Sequence, residues 1–443
     1  MAKKKQIELT IEEKLQNALV PKEEQPYKIP SNWCWTYIHN IAIVVTGKTP
    51  SKKNKEYYGG KFPFFKPADL DAGRNMQYAT EYLSEKGKSI SVIIPEKATG
   101  ICCIGTIGKC GYFLVEGTTN QQINTVISKI NPLYSYYFFN TNSFVRELIS
   151  KASATTIAIV NKSKLESCLF PVAPLNEQQR IVNRIESLFV KLDRAKELIE
   201  NTLAQFKQNK MAILHKAFTG ELTVKWRKEN NIDLSSWKKC ELKEVFKVVK
   251  DKYNPQTENQ IVNYIGLENI ETSKGIISKN NSSEVKSIKT KFKKDDVLYG
   301  KLRPYLNKHD VVNFDGICST DILVFRFNDI NTAKYINYYF NLPMFIQYAV
   351  ENSSGINLPR VSEKTISKYK ISLPTIEEQQ EIVNILDNLL AKYNKIKNLE
   401  QQLEKIELLK KAILAKAFRG ELGTNNPDEE SAENLLKEIL AEK

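Results

Sequence analysis

Two long stretches of this chain carry apolar residues at alternating intervals of four and three positions. The first stretch begins at Ile181 and the second at Ile382, and neither contains proline or glycine before Gly220 or Gly420. This spacing places the apolar side chains on one face of an α-helix. It predicts one helix of about 40 residues, roughly 60 Å long, in each half of the chain, ending at that glycine. Two such stripes should pack together, antiparallel if the halves are related by a pseudo-twofold axis.

The two predicted helices share sequence at both ends, about 200 residues apart. Ala-Ile-Leu-x-Lys-Ala-Phe-x-Gly-Glu-Leu occurs at 212–222 and again at 412–422. A Glu-Gln-Gln-x-Ile-Val-Asn box opens each helix, at 177–183 and 378–384. A carboxylate that offsets unpaired helix amides explains the glutamate, but not the identical continuation. A period this long indicates a duplicated domain pair rather than a solenoid.

Between the helices the chain is rich in Tyr, Phe, Ile and Val, with frequent Gly, Pro and Asn, which favours short strands and turns with a few helices. Each such variable segment begins near a tryptophan, Trp33 and Trp35 or Trp237. Short helices are predicted at about 8–19 and 429–440. The predicted fold class is therefore α+β, with two globular domains separated by two long antiparallel coiled-coil helices. The predicted segments are an N-terminal arm, 1–30; a variable segment, 31–172; a helical region, 173–230; a second variable segment, 231–372; and a second helical region, 373–443.

Length and charge sharpen this division. The chain has 443 residues, more than one hydrophobic core usually supports, and a net charge of +14. Residues 31–172 carry 16 basic and 9 acidic side chains and residues 231–372 carry 22 and 16, a surplus of +7 and +6. Both variable segments are therefore expected to face a polyanion. Seven cysteines without Cys-x-x-Cys pairing make a disulfide framework or zinc site unlikely, and no apolar run reaches a membrane span, so a cytoplasmic protein without membrane contact is expected.

Catalytic motifs are missing from the sequence. It has no Gly-x-x-x-x-Gly-Lys-Ser/Thr phosphate loop and no Asn-Pro-Pro-Tyr adenine-methylation motif. Its three histidines, His39, His215 and His309, lack metal-ligand spacing, and the repeat partner of His215 is Ala415. We therefore predict a non-catalytic chain with no metal site.

Polar and aromatic side chains in the variable segments suit contacts with nucleic acid. Segments 48–54, 57–66 and 301–308 interleave basic groups with hydroxyl, amide and aromatic ones, as phosphate and base-edge contacts require. Arg303 is a candidate to pair with guanine and Asn307 with adenine, although a solvated surface turn explains any single residue equally well. The hypothetical DNA-binding residues are Lys48, Thr49, Lys52, Lys53, Lys66, Arg74, Lys109, Gln121, Gln122, Thr155, Lys301, Arg303, Tyr305, Asn307, Lys308 and Arg360.

The helical regions supply a second set of candidates, for helix pairing and for docking a common partner. These are residues of the two boxes, the two apolar stripes and the two terminal Lys-Ala-Phe motifs. They are Gln178, Gln179, Ile181, Ile185, Leu188, Leu192, Phe218, Gln379, Gln380, Ile382, Leu386, Leu389, Ile396 and Phe418.

In this order, the tryptophan-initiated segments, Glu-Gln-Gln boxes, long helices and Ala-Phe-x-Gly-Glu-Leu motifs resemble the specificity (S) subunits of type I restriction-modification systems, HsdS. The resemblance implies that each variable segment is a target recognition domain that reads one half of a bipartite, asymmetric double-stranded DNA target. It also implies that the helices set the spacing and dock two methyltransferase (M) subunits. Restriction (R) subunits would join through this core of two M subunits and one S subunit. S-adenosylmethionine, ATP and Mg²⁺ would belong to the partners, with no cofactor bound by this chain.

Three other functions compete with this interpretation. The chain could be the specificity subunit of a type IIB-like system, in which one partner polypeptide both methylates and cleaves. A self-sufficient DNA methyltransferase or nuclease is opposed by the missing motifs. An architectural coiled-coil protein would bind DNA without sequence preference and with strong salt dependence.

Overall fold

The chain folds into two compact units. The computed structural model describes residues 9–153, 158–258, 260–272, 274–394 and 397–442. Unit 1 comprises Met1–Leu198 and Gln401–Lys443, and unit 2 comprises Ile199–Glu400. Each unit therefore combines one variable segment with part of both predicted long helices.

The first half of the chain contains nine strands and seven α-helices in its described residues. In chain order they are α1 (Ile11–Ala18), β1 (Cys34–Tyr37), α2 (Ile38–Ile41), β2 (Ala42–Thr46), β3 (Tyr58–Phe65), β4 (Glu81–Leu83), α3 (Glu85–Ser89), β5 (Thr99–Cys102), β6 (Cys110–Tyr112), β7 (Thr118–Thr119), β8 (Ile123–Ser128), α4 (Pro132–Phe139), α5 (Asn142–Ser150), α6 (Lys162–Glu166), β9 (Leu169–Val172) and α7 (Leu175–Thr219).

The second half contains thirteen strands and seven α-helices in its described residues. Its elements are α8 (Val224–Glu229), β10 (Lys238–Glu241), β11 (Phe246–Val248), β12 (Lys252–Tyr253), β13 (Asn263–Ile265), β14 (Ile270–Glu271), β15 (Gly275–Ile276), β16 (Asn280–Asn281), β17 (Lys289–Phe292), β18 (Val297–Gly300), β19 (His309–Val311), β20 (Gly316–Cys318), β21 (Ile322–Phe327), α9 (Ile330–Tyr339), α10 (Pro343–Glu351), α11 (Glu363–Ser367), β22 (Lys370–Leu373), α12 (Ile376–Asn394), α13 (Lys397–Ala417) and α14 (Ala432–Ala441).

The same antiparallel sheet forms the centre of both units. Its strand order is β2-β8-β5-β6 in unit 1 and β11-β21-β18-β19 in unit 2. The register of the central strands also repeats. In unit 1, Thr99 of β5 pairs with Val126 of β8, and in unit 2, Val297 of β18 pairs with Phe325 of β21. A two-stranded pair closes each variable segment, β1 with β9 and β10 with β22. The predicted α+β class and internal repeat are therefore confirmed.

The long predicted helices are present as the apolar stripes indicated. Helix α7 has 45 residues and is followed by Gly220 at φ +80°. In the second stretch, α12 and α13 lie on either side of residues 395–396, which are outside the described chain, and Gly420 follows at φ +74°. Within unit 1, Asp193 forms an ion pair with Lys410, and Lys196 forms one with Glu407. The residue numbers rise along α7 while those of the contacted residues in α13 fall, so the two helices run antiparallel.

The phenylalanines of the repeated Lys-Ala-Phe motifs pack into the globular cores. In unit 1, the ring of Phe418 lies 4.9 Å from that of Tyr134 and 5.2 Å from that of Phe138, both in α4. In unit 2, the ring of Phe218 lies 5.1 Å from Tyr335 of α9, an equivalent position. These edge and tilted contacts join the end of each long helix to the aromatic core beside the sheet.

A buried carboxylate in the first Glu-Gln-Gln box ties three distant segments of unit 1 together. Glu177 is fully buried, and its Oε2 accepts hydrogen bonds from Trp33 Nε1 at 2.8 Å and Asn425 Nδ2 at 2.9 Å. Its Oε1 accepts from the Thr424 hydroxyl at 3.3 Å. The start of the variable segment and the tail of the second helical region therefore meet at one side chain.

The second box makes the equivalent junction in unit 2. Glu378 accepts from Trp237 Nε1 at 2.8 Å and from the Thr223 hydroxyl at 2.7 Å. Here a guanidinium replaces the asparagine, because Arg227 Nη1 lies 2.6 Å from the same carboxylate and its Nη2 donates to the Gly220 carbonyl. The box glutamates thus join remote segments, so compensation of helix amides alone does not account for them.

We expect Arg227→Met to destabilise unit 2. The Arg227 side chain is 8% exposed and that of Glu378 is 0% exposed, so the variant leaves a buried carboxylate without its counter-charge, at a cost of about 3–5 kcal/mol. Urea denaturation measures the loss. Lys225→Met in the same helix is the matched control, since Lys225 is 90% exposed and should change stability by less than about 0.5 kcal/mol. Equal midpoints for Arg227→Met and the wild type would contradict the assignment.

Candidate nucleic-acid interfaces

In unit 1, several predicted DNA-binding residues meet at one end of the central sheet. The backbone N–H of Lys48, just after β2, donates to the Thr119 carbonyl at 2.9 Å. The Thr49 hydroxyl donates to Gln121 Oε1 at 2.5 Å. Lys48 and Gln121 are exposed, so an ammonium group, a hydroxyl and an amide form one polar surface. Such a set can contact both phosphates and base edges.

The other predicted cations of unit 1 differ in their partners. Lys52 and Lys53 are exposed in the turn after Pro50. Lys66, Arg74 and Lys109 instead form ion pairs with Glu81, Glu186 and Asp71, respectively. Lys66 keeps 32%, Arg74 44% and Lys109 23% of the side-chain surface exposed, so each cation stays partly accessible to a phosphate. Thr155 lies outside the described residues.

In unit 2, the predicted segment 301–308 forms a projecting turn. A 3₁₀ turn, Pro304–Leu306, is flanked by two non-glycine residues in the left-handed region, Arg303 at φ 51° and Asn307 at φ 43°. Arg303 and Tyr305 are exposed, and the Arg303 N–H donates to the Pro359 carbonyl at 2.7 Å. Lys308 is half-buried and donates through Nζ to the Leu267 carbonyl. Arg303 and Tyr305 are therefore presented to solvent on a fixed backbone.

Asn307 does not fit its predicted role as an adenine reader. It is 8% exposed, and its Nδ2 donates to the Phe340 carbonyl at 3.0 Å and lies 3.1 Å from His309 Nε2. The side chain holds the turn against the core, where no base edge can reach it. The hypothesis took Asn307 as exposed because a short polar segment gives no sign that one member points inward.

A backbone frame beside these loops is the same in both units. In unit 1, the Cys103 N–H donates to the Gln122 carbonyl at 2.8 Å, and the Val160 N–H donates to the Cys103 carbonyl at 2.9 Å. Isolated bridges then join Ile159 to Ile104 and to Ser153. The loop after β5, the loop before β8 and the segment around 159 are thereby fixed side by side.

Unit 2 repeats this frame bond for bond. The Lys301 N–H donates to the Asp321 carbonyl at 2.9 Å, and the Val361 N–H donates to the Lys301 carbonyl at 3.0 Å. The bridges recur as Arg360 with Leu302 and with Ser354. The frame uses main-chain atoms only, so its side chains are free to differ. They do differ at three equivalent positions, Cys103 and Lys301, Gln122 and Asp321, and Ile159 and Arg360.

The comparison with protein families agrees with this geometry. The model of the type I restriction modification DNA specificity domain matches the chain twice, at residues 30–205 and 235–408.

The chain belongs to this family.

The first match is here called the first specificity domain and the second match the second specificity domain.

Curated relatives match over nearly the whole length of both chains. The EcoDI specificity subunit of Escherichia coli is 25% identical, and the match covers 94% of this chain and 96% of that subunit. The EcoKI specificity subunit of Escherichia coli strain K12 is 26% identical with the same coverage. The MjaIX specificity subunit of Methanocaldococcus jannaschii is 24% identical, covering 90% of this chain and 96% of that subunit.

Solved structures share the fold. A chain from a study of complex assembly and conformational transition in a type I R-M system has a TM-score of 0.68 at 18% identity, covering 89% of this chain and 100% of that one. The HsdS subunit from Thermoanaerobacter tengcongensis has a TM-score of 0.55, also at 18% identity, covering 90% and 99%.

Sequence reasoning missed a lysine-lined cavity in the second specificity domain. The cavity has a volume of about 730 Å³, and three lysines, Lys279, Lys286 and Lys289, line it together with two glutamates, Glu268 and Glu284. The ammonium group of Lys289 lies 5.9 Å from the centre of the Tyr264 ring. The sequence signal was a run of five lysines within 286–294, of which Lys286 and Lys289 reach the cavity. Asp321 was missed as well, because an acidic residue is not an obvious DNA contact.

The predicted helix-pair and partner residues divide into buried and accessible groups. Gln178 and Gln379 are buried, and their Nε2 atoms donate to the Ala173 and Pro374 carbonyls, both at 2.8 Å. They fasten the helix starts within the chain and cannot meet a partner. The buried stripe residues, which pack into the units' own cores, are Ile181, Ile185, Ile382, Leu386 and Phe418. The residues with accessible surface are Gln179, Gln380, Leu188, Leu192, Leu389 and Phe218. Ile396 lies outside the described chain.

Two absences hold for the described residues only. Within them, no group of three or more His, Cys, Asp or Glu side chains is placed to hold a metal ion. Among the same residues, no helix is long and apolar enough to span a bilayer.

His309 is a buried neutral histidine that supports the projecting turn. Its Nδ1 lies 2.7 Å from Asn337 Oδ1, and its Nε2 faces Asn307 Nδ2. This pairing fits a proton on Nδ1 and an accepting Nε2. Burial, with a smaller contribution from the nearby Lys210 ammonium group, lowers the pKa of His309 to about 4.

The low pKa of His309 predicts an acid-sensitive second specificity domain. The unfolded chain takes up a proton near pH 6.5, whereas folded His309 stays neutral down to about pH 4. The neutral His309 therefore adds about 3 kcal/mol to the free energy of unfolding above pH 6.5. This stabilisation is lost as the pH falls from 6.5 to 4. Urea denaturation at pH 7.5 and pH 4.5 should show a larger loss for the wild type than for His309→Gln, by about that amount. His215→Gln, at an exposed site, should behave as the wild type. Equal losses of unfolding free energy for the wild type and His309→Gln would contradict the predicted role of His309.

Proposed function

We propose that this chain is the DNA-reading subunit of a type I restriction-modification complex, in which each specificity domain reads one half of a split, asymmetric target. The observation that carries the proposal is the repeated backbone frame, in which two accessible pairs of equivalent side chains differ, Gln122 and Asp321, and Ile159 and Arg360. A frame that is constant in main-chain hydrogen bonds holds two readers in the same way, while its side chains select different bases. A homodimer-like reader with identical side chains would instead favour a symmetric target.

The charge distribution supports duplex DNA as the ligand. Both variable segments carry a surplus of positive charge, and their exposed cations lie beside amides and hydroxyls. The cations would bind the backbone in any sequence, and the polar neighbours would discriminate between bases. A purely architectural DNA-binding protein would need the cations that bind the backbone but not the polar neighbours that discriminate between bases.

The methyltransferase partners would dock near the starts of the long helices. Leu175 is 54% exposed and Ile376 is 52% exposed, and each is the first residue of its helix, 201 positions apart. Ile149 and Val350, likewise 201 apart, are exposed to 53% and 37%. Because the apolar residues repeat while the frame side chains vary, the same partner would bind at both places. S-adenosylmethionine, ATP and Mg²⁺ would be handled by the M and R subunits in the cytoplasm.

Methylome sequencing of a host with the gene present and deleted tests the function. We expect N6-methyladenine at one split motif to disappear on deletion. Exchanging residues 31–172 for the matching segment of a relative should then change one half of that motif and leave the other half and the spacer unchanged, because the second frame is intact. If both halves changed, the two-reader proposal would be wrong. Loss of no motif on deletion, with the M subunit expressed, would refute the proposed function itself.

We expect Leu175→Asp and Ile376→Asp each to remove one bound M subunit. Both side chains are more than half exposed, so the fold should tolerate the change while an apolar contact with the partner is lost. Mass measurement of the reconstituted complex would show one M subunit for each single variant and none for the double variant. Leu234→Asp, an exposed apolar residue outside this set, is the control. A full complement of M subunits in the double variant would exclude this docking site.

A further inference from the structure

One pair of equivalent frame positions carries opposite charges in the second specificity domain and none in the first. Asp321 Oδ1 accepts from Arg360 Nε at 3.0 Å, and its Oδ2 accepts from Nη2 at 3.4 Å. The corresponding residues in the first specificity domain are Gln122 and Ile159. The inference drawn from this pair rests on the proposed function, that is, on the second domain reading one half-site.

The hydrogen bonds of Arg360 leave one edge of its guanidinium free. Of its five N–H groups, the one on Nε and one on Nη2 face Asp321, and one on Nη1 donates to the Leu358 carbonyl at 3.3 Å. The two that remain, one on each terminal nitrogen, lie side by side on the far edge of the planar group. Two parallel donors at this spacing match the O6 and N7 acceptors of guanine in the major groove.

The backbone below this guanidinium is fixed. The Arg360 N–H donates to the Ser354 carbonyl at 2.8 Å, and the Ser354 N–H donates to the Arg360 carbonyl at 2.9 Å. The bridge to Leu302 secures the other side. Between Ser354 and Arg360 the chain forms a hairpin whose Ile356 is 99% exposed, so this part of the domain projects into solvent. A reader held this way loses little conformational entropy on binding.

The local charge favours DNA even though a carboxylate is present. Lys301 Nζ lies 4.0 Å from Asp321 Oδ1, so two cations share one anion. The Arg360 side chain keeps 43% of its surface exposed. Asp321 thus orients Arg360 without cancelling the positive field that a phosphate backbone meets.

We propose that Arg360 reads one guanine in the half-site of the second specificity domain, through its two free parallel N–H groups, and that Asp321 is the positioning residue that orients them. Ile159, 39% exposed at the equivalent place, offers only an aliphatic surface, which suits a thymine methyl group. The two half-sites therefore differ at this position because of the frame side chains alone.

The test measures methylation by the reconstituted complex of this chain with its M subunits, on a DNA library randomised in both half-sites. Arg360→Lys keeps the charge and loses the planar fork, so preference for guanine at one position of the second half-site should fall roughly 10- to 100-fold. Asp321→Asn should weaken the same preference several-fold while leaving the arginine in place. All positions of the first half-site should be unaffected by either variant.

Matched changes in the first specificity domain complete the design. Ile159→Ala should alter the first half-site only. Lys364→Gln removes an exposed positive charge of the second domain outside the predicted DNA-binding residues, so it controls for general loss of positive charge and should leave the guanine position unchanged.

The outcomes separate the two proposals. A wild-type complex that methylates no split motif would refute the proposed function. A split wild-type motif that stays the same in Arg360→Lys, or changes only at a base other than guanine, would overturn the assignment of Arg360 and leave the proposed function standing. Should Arg360→Lys fail to melt cooperatively, Asp321→Asn decides, and an unchanged guanine preference there overturns the inference.

Discussion

The buried bond between a tryptophan indole and a glutamate carboxylate is the constraint on which each unit depends. A carboxylate removed from water must find donors, and the Trp33–Glu177 and Trp237–Glu378 pairs supply the first of them. The remaining donors come from the tails that follow the two repeated helix ends. One side chain therefore fixes where a variable segment begins, where a long helix starts and where a distant tail ends. The antiparallel course of the helices in unit 1 agrees with this arrangement.

The two halves solve the same electrostatic problem with different donors. Asn425 and Thr424 satisfy Glu177 with neutral groups, whereas Arg227 gives Glu378 a full counter-charge. The glutamate acceptor is therefore the same in both halves of the duplicated sequence, whereas the donors around it differ. The specificity domains show the same division between constant and variable parts, because their frames agree in main-chain bonds and disagree in side chains.

Periodicity and repetition made much of the fold predictable. The apolar stripe from Ile181 identified α7, and the glycines at 220 and 420 end the helical regions in the left-handed conformation that suits them. The site residues were harder to predict from the sequence, because the exposure of a loop residue depends on neighbours far away in sequence. Asn307 points into the core because its amide nitrogen contacts His309 and the Phe340 carbonyl. Asp321 becomes a candidate only because its carboxylate binds Arg360, which is 39 positions later in the chain. Glu177 was noticed for its repetition, but its indole partner 144 positions earlier required coordinates.

The main-chain character of the frame has an evolutionary consequence. A substitution at Gln122, at Ile159 or at their counterparts removes no main-chain hydrogen bond that holds the loops together. Because these side chains are at least partly exposed, such positions can change at a small cost in stability, which is the condition under which new sequence preferences can arise. A cell that carries such a scaffold can diversify what it recognises as self while keeping the assembly that acts on it.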